Sequence, residues 1–299
     1  MRKILMISIL LNCTLSVQAA PDKAVIYALD DELTGTVLQY TTAPKLSSAI
    51  ALIYDEKDGR PIYSKNADTV VPIASITKLM TAMVVLDAQL PLDEKISIST
   101  EDQDRYKKTH SRMRPGMALK RGELLKLALM ASENRAASAL ARTYPGGTEV
   151  AVAMMNAKAR NLGMWNTHFL DATGLHSGNV STARDLVKML VAARSYALIH
   201  NYSTAPMHLV ELQGARPLRF GNTNPLVKSA SWDIGLSKTG YISEAGRCLV
   251  MQANIAQRPV IIVLLDTWGK RTRVGDANRI KQWMERAATP ARAQRIRRG

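Results

Sequence analysis

Cysteine, phenylalanine and long apolar runs are all scarce in this chain. Its 299 residues hold two cysteines and two phenylalanines, and aromatics make up 5%. One cysteine, Cys13, falls in an N-terminal leader described below, which leaves only Cys248. A single thiol forms no internal disulfide, so the hydrophobic core has to supply the stability. No apolar segment beyond the leader is long enough to cross a bilayer, and no stable membrane anchor is expected. The five histidines are scattered, without a His-Glu-x-x-His spacing or an evident Asp partner. That argues against a zinc site and against a histidine-based triad, and no metal or cofactor is expected. The formal charge of +15 invites a nucleic-acid reading. Scarce aromatics, no recognition motif and an export signal all oppose it, so no nucleic-acid partner is expected.

Arg2 and Lys3, the apolar run Ile4 to Leu11 and the small-residue site Val17-Gln18-Ala19 are the three parts of a secretory signal. The run is short and interrupted by Asn12 and Thr14, unlike an anchor. Asn12 also stands where a lipoprotein signal at Cys13 wants a small residue. Residues 1–19 are therefore expected to be removed, which places the mature protein in the periplasm. Loss of Arg2 and Lys3 lowers the formal +15 to +13. A basic exported protein is suited to an anionic polymer or membrane surface, because positive charge concentrates acidic partners.

About 280 residues remain, enough for one large core. Residues 20–46 show no sustained periodicity and read as a lead-in. Residues 47–290 read as the folded domain, and 291–299 as a solvated basic tail. Ser48 to Tyr54 predicts a strand, Asp58-Gly59 a turn and Pro61 to Ser64 its partner. Helical spacing predicts helices over Ala74 to Ala88, Leu124 to Met130, Arg135 to Arg142, Thr148 to Leu162 and Thr182 to Ala193. The methionines near Met154 and Met189 fall on these helices and are expected to serve as core packing. Gly235 to Lys238, Cys248 to Ile255 and Val260 to Asp266 read as strands, and Val274 to Met284 as a closing helix. Strands at both ends with helices between predict an α/β (α+β) fold: an antiparallel sheet flanked by helices, with an inserted helical subdomain.

Three short motifs carry candidate chemistry. Ser75-Ile76-Thr77-Lys78 sets a hydroxyl and an amine on one helix face. Ser132-Glu133-Asn134 falls in a turn between helices, where Ser and Asn also serve as ordinary caps. The same Ser-x-Asn pattern recurs at Ser177-Gly178-Asn179, so alone it means little. Lys238-Thr239-Gly240 sits on a strand whose glycine allows close approach of another backbone. In this order and spacing the three form the signature of serine β-lactamases and penicillin-binding proteins.

The chain resembles the low-molecular-mass penicillin-binding proteins of the SxxK class, β-lactamase/transpeptidase-like in fold. Within them it is most similar to the D-alanyl-D-alanine endopeptidase branch, the penicillin-binding protein 7 type. The resemblance spans roughly Ser48 to Met284. Its runs are Pro72 to Thr81, Pro91 to Lys95, Ser132 to Ala137, Ser181 to Leu186 and Lys238 to Gly240. It implies an acylated nucleophile at Ser75, a base at Lys78, a proton-relay serine at Ser132 and a substrate-backbone contact at Asn134. Lys238, Thr239 and Gly240 would line the far end of the pocket, and the backbone N–H groups of Ser75 and Tyr241 the oxyanion hole. It also implies peptidoglycan stem peptides as substrate and β-lactam antibiotics as covalent inhibitors.

Many relatives continue Lys-Thr-Gly-x-Thr, whereas Ile242 stands at the last place here. The missing hydroxyl argues for cutting cross-links over trimming a terminal D-alanine. No second domain or amphipathic anchor is expected after the closing helix. The alternatives are a DD-carboxypeptidase, a β-lactamase with Asp171 as its water-activating carboxylate, and a penicillin-binding sensor without turnover.

Overall fold

Val260 to Leu265 is a run of six apolar residues, and its place in the fold explains it. The computed structural model describes residues 24–26, 29–31, 36–38, 42–212 and 215–288. Six strands form one antiparallel sheet: β1 (Ala24–Ile26), β2 (Ile50–Asp55), β3 (Arg60–Lys65), β4 (Asp233–Ile242), β5 (Gly246–Ile255) and β6 (Arg258–Thr267). Their spatial order is β1-β3-β2-β6-β5-β4. The helices are α1 (Thr77–Asp87), α2 (Arg121–Met130), α3 (Asn134–Arg142), α4 (Gly147–Asn161), α5 (Ala183–Ala193), α6 (Ala197–Ser203) and α7 (Thr272–Ala288).

Successive strand residues face opposite sides of a sheet. On β6, Val260, Ile262 and Leu264 pack with Ala277, Ile280 and Met284 of α7. Ile261, Val263 and Leu265 join the larger core on the other side, beneath α1 to α5. A strand covered on both faces needs an unbroken apolar run, and this is one. The predicted arrangement, a sheet built from both ends of the chain with helices inserted between, is the one observed.

Asp276 ties α7 to the start of β2. Its buried carboxylate accepts from Ser47 N at 3.0 Å, Ser48 N at 2.8 Å and Ser48 Oγ at 2.6 Å.

Some elements carry no readable signal. Strand β1 lies within the 20–46 lead-in and pairs Ala24 with Lys65 at the sheet edge. At three residues it is too short to show a period. The short helix α6 and the hairpin Met207–Leu212 with Ala215–Gly221 also went unpredicted. The leader, residues 1–19, and the basic tail, residues 291–299, lie outside the described residues. Among the described residues no helix is long and apolar enough to cross a membrane.

Helix α1 is the hub. Helices α2 to α6 surround it, so Thr77 to Val85 are all buried. A helix covered on every side is apolar all round. Lys78 is the only charged residue in that buried stretch, and its burial needs a reason. A 3-10 turn, Ala74–Ile76, precedes α1 and packs against β4, bringing Ser75 to the junction of helices and sheet.

Candidate active site

Lys78 is fully buried, and its amine has three oxygen neighbours. Nζ lies 2.8 Å from Ser75 Oγ, 2.8 Å from Asn134 Oδ1 and 2.5 Å from the Thr173 carbonyl. It donates to the last two. Burial pushes its pKa down from 10.5 to about 7, against the opposing pull of Asp171, Glu133 and Asp104. At neutral pH a large share of the amine is therefore unprotonated and able to accept the Ser75 proton.

Lys238 is buried as well, and its Nζ donates to Ser132 Oγ at 2.8 Å and to the Thr239 carbonyl at 2.9 Å. Burial first, then the positive charges of Lys78 and Arg273, lower its pKa well below the usual range. Thr239 Oγ1 donates to Thr223 Oγ1 at 2.7 Å.

Two glycines allow the backbones to converge here. A Cβ on Gly240 would stand 2.9 Å from the Ile73 carbonyl and 3.2 Å from Ser75 N, so β4 runs close against the Ser75 N–H. Tyr241 follows with an exposed ring, the Arg247 guanidinium 4.4 Å from its centroid. Gly174, at φ +80°, would place a Cβ 2.0 Å from the Ala74 carbonyl. Ala74 and Ser132 themselves hold φ of +48° and +59°, a conformation that non-glycine residues rarely adopt. Such strain concentrates where surrounding structure enforces a geometry.

The sequence motifs do not contain every group that meets here. Asn134 opens α3 and donates from Nδ2 to Thr109 Oγ1 at 3.0 Å. Glu133 accepts from Ser111 Oγ at 2.5 Å, which fixes the turn before α3. The Thr173 carbonyl is held by the loop around Asp171, whose carboxylate accepts from Thr173 N at 2.7 Å, Gly174 N at 2.5 Å and His176 N at 2.7 Å. Asp171-x-Thr-Gly is legible as a turn. A backbone carbonyl meeting Lys78 across 95 residues is not. The second Ser-x-Asn tripeptide is structural, since buried Asn179 donates to the Asp171 carbonyl at 2.9 Å and to Thr77 Oγ1 at 3.0 Å.

The sequence profile of the peptidase S11 family, D-alanyl-D-alanine carboxypeptidase, matches residues 38–269. The chain belongs to this family. As an S11 peptidase it is a hydrolase of the serine D-alanyl-D-alanine peptidase type. It is 49% identical over 257 residues to a D-alanyl-D-alanine endopeptidase of Pseudomonas aeruginosa, covering 85% of this chain and 83% of that protein. Among solved structures, the Streptomyces K15 DD-transpeptidase superposes with a TM-score of 0.75 at 30% identity, over 82% of this chain and 99% of that one. Penicillin-binding protein D2 from Listeria monocytogenes, solved in its ampicillin-bound form, gives 0.69 at 29% identity, over 82% and 99%. This S11 peptidase thus has the β-lactamase/transpeptidase-like architecture expected from its motifs.

Proposed function

We propose that the protein is a periplasmic serine DD-endopeptidase that cuts D-alanyl cross-links between peptidoglycan stem peptides through an acyl-enzyme on Ser75. The observation that carries this reading is the buried Lys78 amine, 2.8 Å from Ser75 Oγ, with its pKa near 7. A serine hydroxyl attacks only when a neighbouring base takes its proton, and an amine serves only when neutral. Asn134 and the Thr173 carbonyl orient that amine.

In the reaction, Ser75 Oγ bonds to the D-alanyl carbonyl carbon as its proton passes to Lys78. The carbonyl oxygen becomes an oxyanion, which the N–H groups of Ser75 and Tyr241 receive where Gly240 lets β4 close in. The C–N bond then breaks, and the leaving amine takes a proton through Ser132, which Lys238 holds by hydrogen bond. Water attacks the ester by the reverse proton path and frees Ser75. A β-lactam would acylate the same oxygen as its ring opens. Lys238 and Thr239 form the polar end of the cleft, with Arg273 behind them at 3.4 Å from the Gly240 carbonyl.

Cross-link cutting is favoured over trimming by the similarity to the Pseudomonas endopeptidase and by Ile242, whose side chain is packed into the core. The β-lactamase alternative loses support because both Asp171 oxygens accept from backbone N–H groups of their own loop. The test offers a purified cross-linked muropeptide dimer and an uncross-linked pentapeptide, each followed by mass spectrometry. Monomers from the dimer are expected. Release of D-alanine from the pentapeptide with the dimer intact would favour carboxypeptidase action, with Ser75 chemistry still standing.

A further inference from the structure

Residues 104–109 form a strap along the site that supplies none of the groups placed in the reaction. Asp104 folds it, accepting from the N–H groups of Tyr106, Lys107 and Thr109, each at 2.9 Å, and from Thr109 Oγ1 at 2.8 Å. Lys108 sits at φ +51°, so the turn is tight. The strap touches three walls of the cleft. Thr109 accepts from Asn134 at the start of α3. The ring of Tyr106 meets that of His176 edge-on, 6.0 Å between centroids, on the loop that presents Thr173. Lys107 forms an ion pair with Glu244, just beyond the β4 segment that Gly240 presses against Ser75.

We propose that the Lys107–Glu244 pair is a clasp across the mouth of the cleft, and that its opening determines how bulky a peptide reaches Ser75. This inference rests on the DD-peptidase reading of the site. On the side of α3 and the Asp171 loop the strap borders a cavity of about 330 Å³, lined in part by Asp104, Tyr106, Asn134 and Thr173. A cross-linked substrate brings a second stem on the leaving side, and under this proposal a shut clasp hinders its entry.

The strength of the clasp suits a gate. Its side chains are 29% and 41% exposed. An exposed pair shifts an open–closed equilibrium by at most about fivefold, so it opens readily. Hydrogen bonds from Lys107, then Ser243, lower the Glu244 carboxyl to about 2. The Glu244 carboxylate therefore stays charged at any physiological pH, and the clasp responds to bulk, not to protonation of that carboxylate. The other two attachments keep the strap in place when the clasp releases.

The test compares kcat/KM for the muropeptide dimer with the acylation rate by benzylpenicillin, a small ligand. Lys107→Met and Glu244→Gln should each raise the ratio of dimer cleavage to acylation by about two- to fivefold, and the double variant no further, because the pair acts as a unit. Bridging Lys107→Cys and Glu244→Cys with a short bis-maleimide should lower that ratio at least tenfold and leave acylation within threefold. The remaining thiol, Cys248, is buried and out of the reagent's reach. A bridged enzyme that cuts the dimer at the unbridged rate, or variants that change both reactions equally, would overturn the clasp. If the wild type trims pentapeptide and leaves dimers intact, the endopeptidase reading falls. The clasp is then judged by the same ratio measured with pentapeptide.

Discussion

Lys78 could not be placed in a closed core without cost unless its charge were dispensable. Its depressed pKa makes two predictions. Replacing it with arginine keeps the length and the charge but removes the ability to deprotonate. Lys78→Arg should fold and acylate at least about 10²-fold more slowly, the low end for a lost general base. Near-normal stopped-flow acylation by that variant would place the base elsewhere. The sign of the pH dependence also follows. Below about pH 7 the amine is protonated and cannot take the Ser75 proton, so wild-type acylation should fall about tenfold per pH unit there and level off above. Unfolded lysine keeps its proton to about 10.4. The unfolded state therefore binds more protons between pH 7 and that value, and the Lys78 contribution to stability rises with pH across the window. Ser75 is tested more directly. Intact-mass analysis after penicillin treatment should show one adduct that disappears in Ser75→Ala, and an adduct surviving on Ser132 or Ser177 would refute the assignment.

Among the elements, the approach of β4 to the turn before α1 makes the site, and the approach depends on Gly240. A methyl group there would meet the Ile73 carbonyl at 2.9 Å, forcing the strand back by a few tenths of an ångström. The strand lies at the sheet edge and can yield, so Gly240→Ala should cost little stability. Acylation should fall by about 10² to 10³, the effect of removing one oxyanion donor. Thermal melts beside acylation rates separate the two, and a variant as fast as wild type would show that the approach is not catalytic. Gly240 was legible because it sits in a three-residue motif on a strand. Gly174 was not, since its partner is the Ala74 carbonyl, distant in sequence. The same contrast runs through the site. Ser75 and Lys78 share one helical turn, and helix geometry alone predicts that they meet. Thr109, Thr173 and Arg273 arrive through loops or a distant helix end, where no local period records the destination.

For the whole molecule, the sheet, α1 to α5 and α7 could be read from periodicity, since each buries one or two continuous faces. Strand β1 and the 207–221 hairpin could not, because short or edge strands show too little alternation to stand out. Net charge was legible from composition alone, and its consequence belongs to this scale. The formal +13 of the chain without residues 1–19 would face a wall polymer bearing many carboxylates, whereas a soluble muropeptide bears few. Long-range attraction should therefore matter for the intact polymer much more than for the fragment. Raising salt from about 0.01 to about 0.1 M shortens the screening length from about 30 to about 10 Å, which removes most of that attraction and leaves contacts inside the cleft largely intact. Pelleting of the Ser75→Ala protein with purified sacculi should weaken severalfold over this range. Cleavage of the soluble dimer by the wild type should change by less than about twofold beyond what release of the exposed Lys107–Glu244 pair contributes, measured as the response of Glu244→Gln to the same salt. Salt-independent pelleting would mean that the basic surface does not recruit the protein to the wall, and that the cleft alone recognises the substrate.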